Sequence, residues 1–522
     1  VSEAFDAGGA YAAAELPPAF AAPSGVVRWR FASAGYMSAA GETPANTPWL
    51  PGLLGDVELA ATAIDALAIG GRVALSLADM ALSDRGRLLG DVARYGSATG
   101  RPATLRVLPV ANARASNFGA PLASARGAFT GVVRAIEEAG GFRVRLGLSD
   151  LSDRLAAPLQ ATLYAGTGGV EGSIDLKGRP KPLAFGEVSN VPATYLGQVN
   201  LGIGVLPTYQ THMRAIAGHD VVRIRGVAQA AAGGVPVVGQ YRDFPTLGLF
   251  QLGSSADGEV TADLRGDAPA AGYVNSVASI VYRLLTGFGP QFSDAEIDFG
   301  AFNFAELDLP GVAGFFQGPA PTTAATAVEA LLASAGAILV GGRDGRLRLV
   351  DPLGVSPVLQ FSLPSAWVIQ CQPEALPLSL RPAPRAVEVG WRRNWQPLSG
   401  VAGSVPEADR ERLQQSGAVA RAESVSVTTR VATQRTLALP GLYAAEADAA
   451  ARAAVWRNWI ERGPRVIRFE TDRYLDQIEI GQFGRVTYPA HGLDAGFSGV
   501  VVAWRERLAA RRVEITIAGV PD

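Results

Sequence analysis

Apolar and charged positions alternate from Val26 to Phe31, with Val27, Trp29 and Phe31 on one face and Arg28 and Arg30 on the other, as a half-buried strand requires. The same period of two returns at Val73–Leu77, Thr104–Leu108, Phe129–Val133 and Phe142–Leu148, with turn residues between them. Four or more strands predict a barrel or sandwich here. The period changes to that of a helix at Val274, Val277, Ile280, Val281, Leu284 and Leu285, which form one apolar stripe ending at Gly287. Ser293 and Glu296 make a capping-box pattern ahead of a second short helix, and Thr322 to Ala335 reads as a third. Ile338–Val340 and Leu347–Val350 flank Gly342-Arg343-Asp344-Gly345, whose Asp-Gly pair predicts a hairpin. Leu442 to Arg462 lacks Gly and Pro and is expected to be the longest helix, stopped by Gly463-Pro464.

One pattern occurs twice. Phe129-Thr130-Gly131-Val132-Val133 precedes the strand Phe142–Leu148 by about the interval that separates Phe497-Ser498-Gly499-Val500-Val501 from Arg512–Ile517. Two related β-modules in one chain would let three copies present six similar modules around an axis.

These patterns divide the chain into an N-terminal arm (1–25), a first tube-like β-barrel module (26–165) and a loop-rich β insertion domain (166–270). An α+β domain (271–380) and a second β-barrel module with its long helix (381–522) follow. The expected fold class is α+β, predominantly β, multidomain, with inserted α/β domains between two tube-like barrels and assembly as a trimeric ring. The 61 glycines and 34 prolines in 522 residues agree with many short elements joined by turns.

Charge and chemistry narrow the function. With 46 basic and 48 acidic residues, the net charge of −2 supplies no field to hold the chain on nucleic acid or an anionic membrane. No run approaches the roughly 18 apolar residues of a membrane span, and the acidic start from Val1 to Tyr11 lacks a basic leader pattern, so synthesis and assembly in the cytosol are expected. Cys371 stands alone, which excludes an internal disulfide framework and, with three histidines, leaves little for a metal site. His212 and His219 read as ordinary histidines, and His491 as a turn residue. The acidic stretch Asp294, Glu296, Asp298, Glu306 and Asp308 lacks the spacing of a calcium loop. Gly202-Ile203-Gly204 lacks the third glycine of a dinucleotide fingerprint. No catalytic, cofactor-binding or metal-binding set is assigned, and no cofactor is expected.

Three strings carry a resemblance. Arg30-Phe31-Ala32-Ser33-Ala34-Gly35-Tyr36 is followed by Glu42-Thr43-Pro44-Ala45-Asn46-Thr47. Asp175-Leu176-Lys177-Gly178-Arg179-Pro180-Lys181-Pro182-Leu183-Ala184-Phe185-Gly186 precedes Asn190-Val191-Pro192. Phe250-Gln251-Leu252-Gly253-Ser254 precedes Gly258-Glu259-Val260-Thr261-Ala262-Asp263. Across about residues 28 to 350 the chain resembles a family of tail proteins of prophages and long-tailed phages. More loosely, its C-terminal region is similar to the closing barrel of tail hubs, those of contractile baseplates and gene transfer agents included.

The resemblance implies a non-enzymatic structural protein of the virion, placed at the distal end of the tail and assembled in the host cytoplasm. It would be a homotrimeric hub that closes the tail tube, adapts sixfold to threefold symmetry and gates genome release. Its partners would be the distal tail protein ring, the tape-measure protein and central spike or tail fibre proteins, with no stable nucleic-acid binding and no integral membrane segment. The interaction residues expected from the stiff basic segment are Lys177, Arg179, Pro180, Lys181 and Pro182, since two prolines would hold the cations in place for a neighbouring subunit; the alternative is a rigid internal loop. Two other readings compete: a tail-associated cell-wall hydrolase with a carboxylate pair, and a peripheral receptor-binding protein using Trp391 and Trp395 as exposed sugar platforms.

Overall fold

The computed structural model describes every residue except 1, 10–26, 65–66, 68–72, 75, 86–88, 91–97, 113, 271, 354–358, 433–434, 474–477 and 522. The chain is predominantly β and multidomain, and its largest element is a 15-stranded half-barrel sheet. Its main strands are β1 (Ser2–Gly9), β2 (Val27–Ala32), β3 (Leu53–Thr62), β4 (Ser76–Ser83), β5 (Pro102–Leu108), β6 (Arg126–Gly140) and β7 (Arg143–Ser149). From the far end of the chain come β8 (Gln370–Glu374), β9 (Arg465–Thr471), β10 (Phe483–Tyr488), β11 (Leu493–Arg507) and β12 (Arg512–Pro521). Of the arm expected at 1–25, Ser2–Gly9 forms β1 between β2 and β5, and the arm's remainder lies outside the described residues.

The repeated pattern in the sequence is a repeat in space. In chain order, β3 to β7 form one five-stranded unit and β8 to β12 form another, and their strands are arranged alike: β3-β4-β7-β6-β5 and β8-β9-β12-β11-β10. The registers match across the echoed strings. Leu105 lies opposite Phe129 in the first unit as Val486 lies opposite Phe497 in the second, and all four side chains are buried. Gly100 donates its N–H to the Val133 carbonyl at 2.8 Å, and Gly481 to the Val501 carbonyl at 2.9 Å. Both glycines need a left-handed backbone, φ 77° and 92°.

The glycine of each echoed string has its own cause. A Cβ on Gly131 would lie 2.1 Å from the Ser149 carbonyl oxygen, and one on Gly499 would lie 2.3 Å from that of Ala518. The two strands of each hairpin approach too closely there for any side chain.

Among the described strands neither unit closes into a barrel by itself. The second half of β11 instead pairs antiparallel with β3, from Ala503 opposite Thr62 to Arg507 opposite Glu58, and so makes one sheet of the two units. Both contribute to a single core in which Leu59, Leu105 and Phe129 pack with Phe469, Phe497 and Ile517.

Between the units lies a nine-stranded sheet built from residues Leu183 to Gln317; it crosses the division expected at 270, because Leu183 pairs with Gln317. Helices α1 (Val277–Gly287), α2 (Phe299–Asp308) and α3 (Ala324–Ala335) pack beside it around Val277, Ile280, Leu284, Val328 and Leu331. Ser276 and Thr323 cap α1 and α3 through their side chains. The hairpin Ile338–Gly341 and Leu347–Val350 follows α3. The longest helix among the described residues, α4, spans Glu446–Glu461; Leu442 and Tyr443, counted to it from sequence, end the preceding strand.

If the close approach at these glycines is what sets the hairpin geometry, Gly131→Ala and Gly499→Ala should each cost about 1–3 kcal/mol in urea unfolding, through overpacking. Gly127→Ala, at an exposed site with open space around it, should stay near the parent.

Candidate assembly interface

The junction of the two units carries ion pairs on both of its sides. On its outer side, Arg505 reaches Glu58 at 2.6 Å and Arg507 reaches the same carboxylate at 3.7 Å. These side chains are 40–49% exposed, so the pairs add little by themselves. Its inner side differs in kind. The turn Gly342–Gly345 of the middle hairpin inserts there, and Arg343 pairs with Glu506 while both are almost fully buried. The Arg343 guanidinium lies 3.7 Å from the centre of the Trp504 ring, which gives the cation a π face where water is excluded.

Backbone atoms of the same turn tie both units. The Arg343 carbonyl accepts from Thr130 N–H of β6 at 2.8 Å, and its N–H donates to Glu479 Oε1 at 2.8 Å. Arg348 approaches Glu479 at 3.3 Å and Asp298 at 2.8 Å. Burial pushes the Glu479 carboxyl above the usual range, and Arg348 and Arg343 offset that only in part. Burial also opposes the charge on Asp298, but hydrogen bonds from Arg348 and the Ala301 N–H hold that carboxyl below its usual range.

The five residues expected to form an interaction site are not all exposed. Lys177 and Arg179 are exposed, whereas Pro180 and Pro182 are buried. Lys181 turns inward: its Nζ is 2.6 Å from Glu171 and 5.4 Å from the centre of the Tyr164 ring, and its backbone N–H donates to Thr162. The hydrogen bond from Lys181 holds the Glu171 carboxyl below its usual range. The loop is stitched to residues 162–164, so its stiffness comes from hydrogen bonds as well as from proline. Exposed Ile174, Val170 and Leu163 stand near the two outward cations, a mixed apolar and basic patch.

The remaining candidates resolve into separate contacts. His212 accepts from Ala184 N–H on Nδ1 at 2.9 Å, which leaves its Nε2–H to donate to Asp267 at 3.2 Å. Burial pushes that imidazole toward the neutral form. His219 lies between Asp243 (2.7 Å to Nδ1) and Thr211 Oγ1 (2.7 Å to Nε2). This row has the order of a nucleophile, base and orienting acid. Thr211, however, is 0% exposed, so no substrate carbonyl reaches its oxygen in this conformation.

In the acidic stretch Arg154 pairs with Glu296, Arg348 with Asp298, Tyr282 with Asp294 and Ser276 with Glu306. Among the described residues no group of three His, Cys, Asp or Glu side chains is placed to hold a metal ion. Cys371 is buried, and burial raises its thiol pKa. Trp391 and Trp395, expected as exposed platforms, are half-buried: Trp391 packs on the core beside α4, and Trp395 lies edge-on to Phe315 and Phe316.

Two groups of large apolar side chains are exposed close together in sequence. Phe299, Phe304 and Leu307 are 59%, 70% and 76% exposed on α2, and Val235, Val237 and Val238 crowd one loop.

No family model matches the chain. No curated protein matches it. Solved structures do. A 43 kDa tail protein of prophage MuSo2 from Shewanella oneidensis aligns over 90% of this chain and 95% of its own, with 11% identity and a TM-score of 0.38. A tail protein from Neisseria meningitidis aligns over 89% and 91%, with 9% identity and a TM-score of 0.39. A chain from the virion of a gene transfer agent covers 66% of this chain and 85% of its own, with 11% identity and a TM-score of 0.43.

The buried pair gives a sharp contrast with the surface pairs. Arg343→Ala, which strands Glu506 in the core, should cost about 3–5 kcal/mol in chemical unfolding. Arg145→Ala, which removes an exposed arginine 3.7 Å from Asp79, should cost less than about 1 kcal/mol. Glu479 gives a pH test. Its raised pKa means that the folded chain holds the proton more tightly than the unfolded chain, so the parent loses stability as pH rises through that value. The stability of Glu479→Gln relative to the parent should therefore increase over the same interval, read from unfolding midpoints across pH.

Proposed function

We propose that this chain is a structural, non-enzymatic component of a phage-type tail: the hub that closes the distal end of the tail tube and adapts its sixfold symmetry to threefold. Three copies would carry six equivalent five-stranded units around the axis, and the middle domains would close the lumen until genome release. The observation that carries the reading is the in-register repeat of β3–β7 in β8–β12, joined side by side in one sheet. A duplicated unit placed laterally is the geometry by which a threefold assembly presents six like modules. The clustered apolar exposure on α2 and at Val235–Val238 adds support, because obligate interfaces commonly bury more than about 2,000 Å² with apolar centres.

On this reading the partners are two further copies, a distal tail ring, the tape-measure protein and a central spike or fibre, and the location is the virion. Lys177 and Arg179, with Ile174 beside them, are the proposed contact to a neighbouring subunit; Lys181, Pro180 and Pro182 stiffen that contact from within. A hydrolase reading would rest on Thr211, His219 and Asp243, and it requires the buried Thr211 to become accessible. A zymogram on peptidoglycan separates the two: a clearing zone abolished by His219→Gln would replace the structural reading.

The direct measurement is mass in solution and copy number in the particle. The purified chain should run as a trimer, or aggregate for want of partners, and virions should contain three copies. A stable monomer at micromolar concentration, or six copies per particle, would overturn the hub.

A further inference from the structure

We infer that the cleft between α2 and the second unit is a docking site for an arginine of a partner protein, flanked there by apolar residues, whose guanidinium is received by Glu479. The inference rests on the reading above only in taking that partner to be another protein of the particle. It needs neither a threefold axis nor a copy number.

The cleft has a volume of about 390 Å³. Sites for ligands commonly fall between about 300 and 1,000 Å³, whereas one water takes about 30 Å³, so the space is that of a side chain. One wall is the face of α2 that carries Ala301, Phe304, Ala305 and Asp308. The second unit supplies residues from Glu479 to Phe483 and Val500 of β11, and the middle hairpin adds Arg348, Leu349 and Val350.

The chemistry of the occupant is set by Glu479. Its side chain lines the cleft while the residue is 8% exposed. Oε1 accepts from the Arg343 N–H at 2.8 Å and lies 3.3 Å from Arg348 Nη1, but Oε2 has no hydrogen-bond partner. An acceptor buried without a donor is costly, and a donor brought from outside removes that cost.

The cations nearby are already engaged. Arg348 also serves Asp298 and Asp344, both at 2.8 Å, and Arg452 is bidentate to Asp351 at 2.8 Å. Four acids line the cleft, Asp298, Asp308, Asp351 and Glu479, against the single base Arg348. The sequence extends the imbalance: no lysine or arginine stands between Arg283 and Arg343. Within that interval Asp294 and Glu306 are bonded to the hydroxyls of Tyr282 and Ser276, which leave their charge uncompensated. A cationic donor therefore suits the place better than a neutral one. It also supplies at Glu479 the positive charge that burial otherwise makes the carboxyl take up as a proton.

The walls select arginine on a protein. Phe304 and Phe483 both line the cleft, so a planar guanidinium has aromatic faces to lie on and its methylene stem has apolar neighbours. Phe304 is 70% exposed and so stands at the mouth, and Leu307, three residues on along the helix, is 76% exposed. Apolar residues on either side of an arginine cover these two side chains, whereas a free polyamine leaves them in water.

The test titrates the full-length chain calorimetrically with acetyl-Leu-Arg-Leu-amide, with its citrulline counterpart, which keeps the shape of arginine without the charge, and with spermidine. The arginine peptide should bind, and citrulline should weaken binding by roughly tenfold or more. Glu479→Gln should weaken binding of the arginine peptide by the same factor while the chain still unfolds cooperatively. In a second variant, Phe304→Ser at the exposed mouth should weaken it by roughly threefold with the unfolding midpoint unchanged. A photoreactive leucine in the peptide should label Phe299–Asp308 or residues 479–483. No binding up to about 1 mM, equal binding of the citrulline peptide, an unchanged affinity in Glu479→Gln or labelling elsewhere overturns the site. Spermidine binding as tightly as the peptide overturns the protein partner. A chain that stays monomeric yet binds the arginine peptide overturns the hub and leaves this site standing.

Discussion

The five-residue ladder between Ala503–Arg507 and Glu58–Thr62 is the constraint on which the large sheet depends. Backbone N–H and C=O groups must be paired wherever they are buried, and this ladder meets that need at the place where the units would otherwise show raw edges. With it in place, side chains from both ends of the chain share one core. Without it, Leu59 and Trp504 would each face water along a strand edge. The outer salt bridges to Glu58 decorate this ladder, and its inner face is held by the Arg343–Glu506 pair.

That inner pair shows how the middle domain is coupled to the sheet. A buried ion pair is a poor source of net stability but costs heavily when one partner leaves. Its value is therefore positional: the hairpin turn Gly342–Gly345 has one place where its arginine is compensated, between Glu506, Glu479 and the Trp504 ring. The backbone contact to Thr130 adds the first unit to the same fixture. The hairpin turn is thus keyed to both units at once, beside the pairing of Ile338–Gly341 with Val73–Ala74.

Much of this was legible in the sequence, for identifiable reasons. The repeat is readable at Phe129-Thr130-Gly131 and Phe497-Ser498-Gly499 because the buried phenylalanine and the side-chain-free glycine are each dictated by packing. The stripe of α1 and the capping serines are readable because helix periodicity and unpaired N–H groups are local matters. Edge strands carry no such requirement: nothing in Gln370–Glu374 resembles Leu53–Thr62, and their equivalence emerges only from what each pairs with. Arg343 was visible merely as part of a turn, since its partners lie 136 and 163 residues away. Nothing local marks Lys181 as turned inward, because the Glu171 that captures its ammonium lies ten residues earlier in a glycine-rich loop.

The distance along the chain between Glu58 and Arg505 is 447 residues. During synthesis the first unit therefore leaves the ribosome long before the strand that completes its flank exists. Contacts of such separation form late, because the entropy of closing so large a loop must be met before any reward is gained. The middle domain, whose contacts are nearer in sequence, has time to fold while β3 still waits as an exposed apolar edge. The segment Ala503–Arg507 then acts as a latch, and a nascent chain cut short before it would leave a half-finished sheet for chaperones to shelter or proteases to remove.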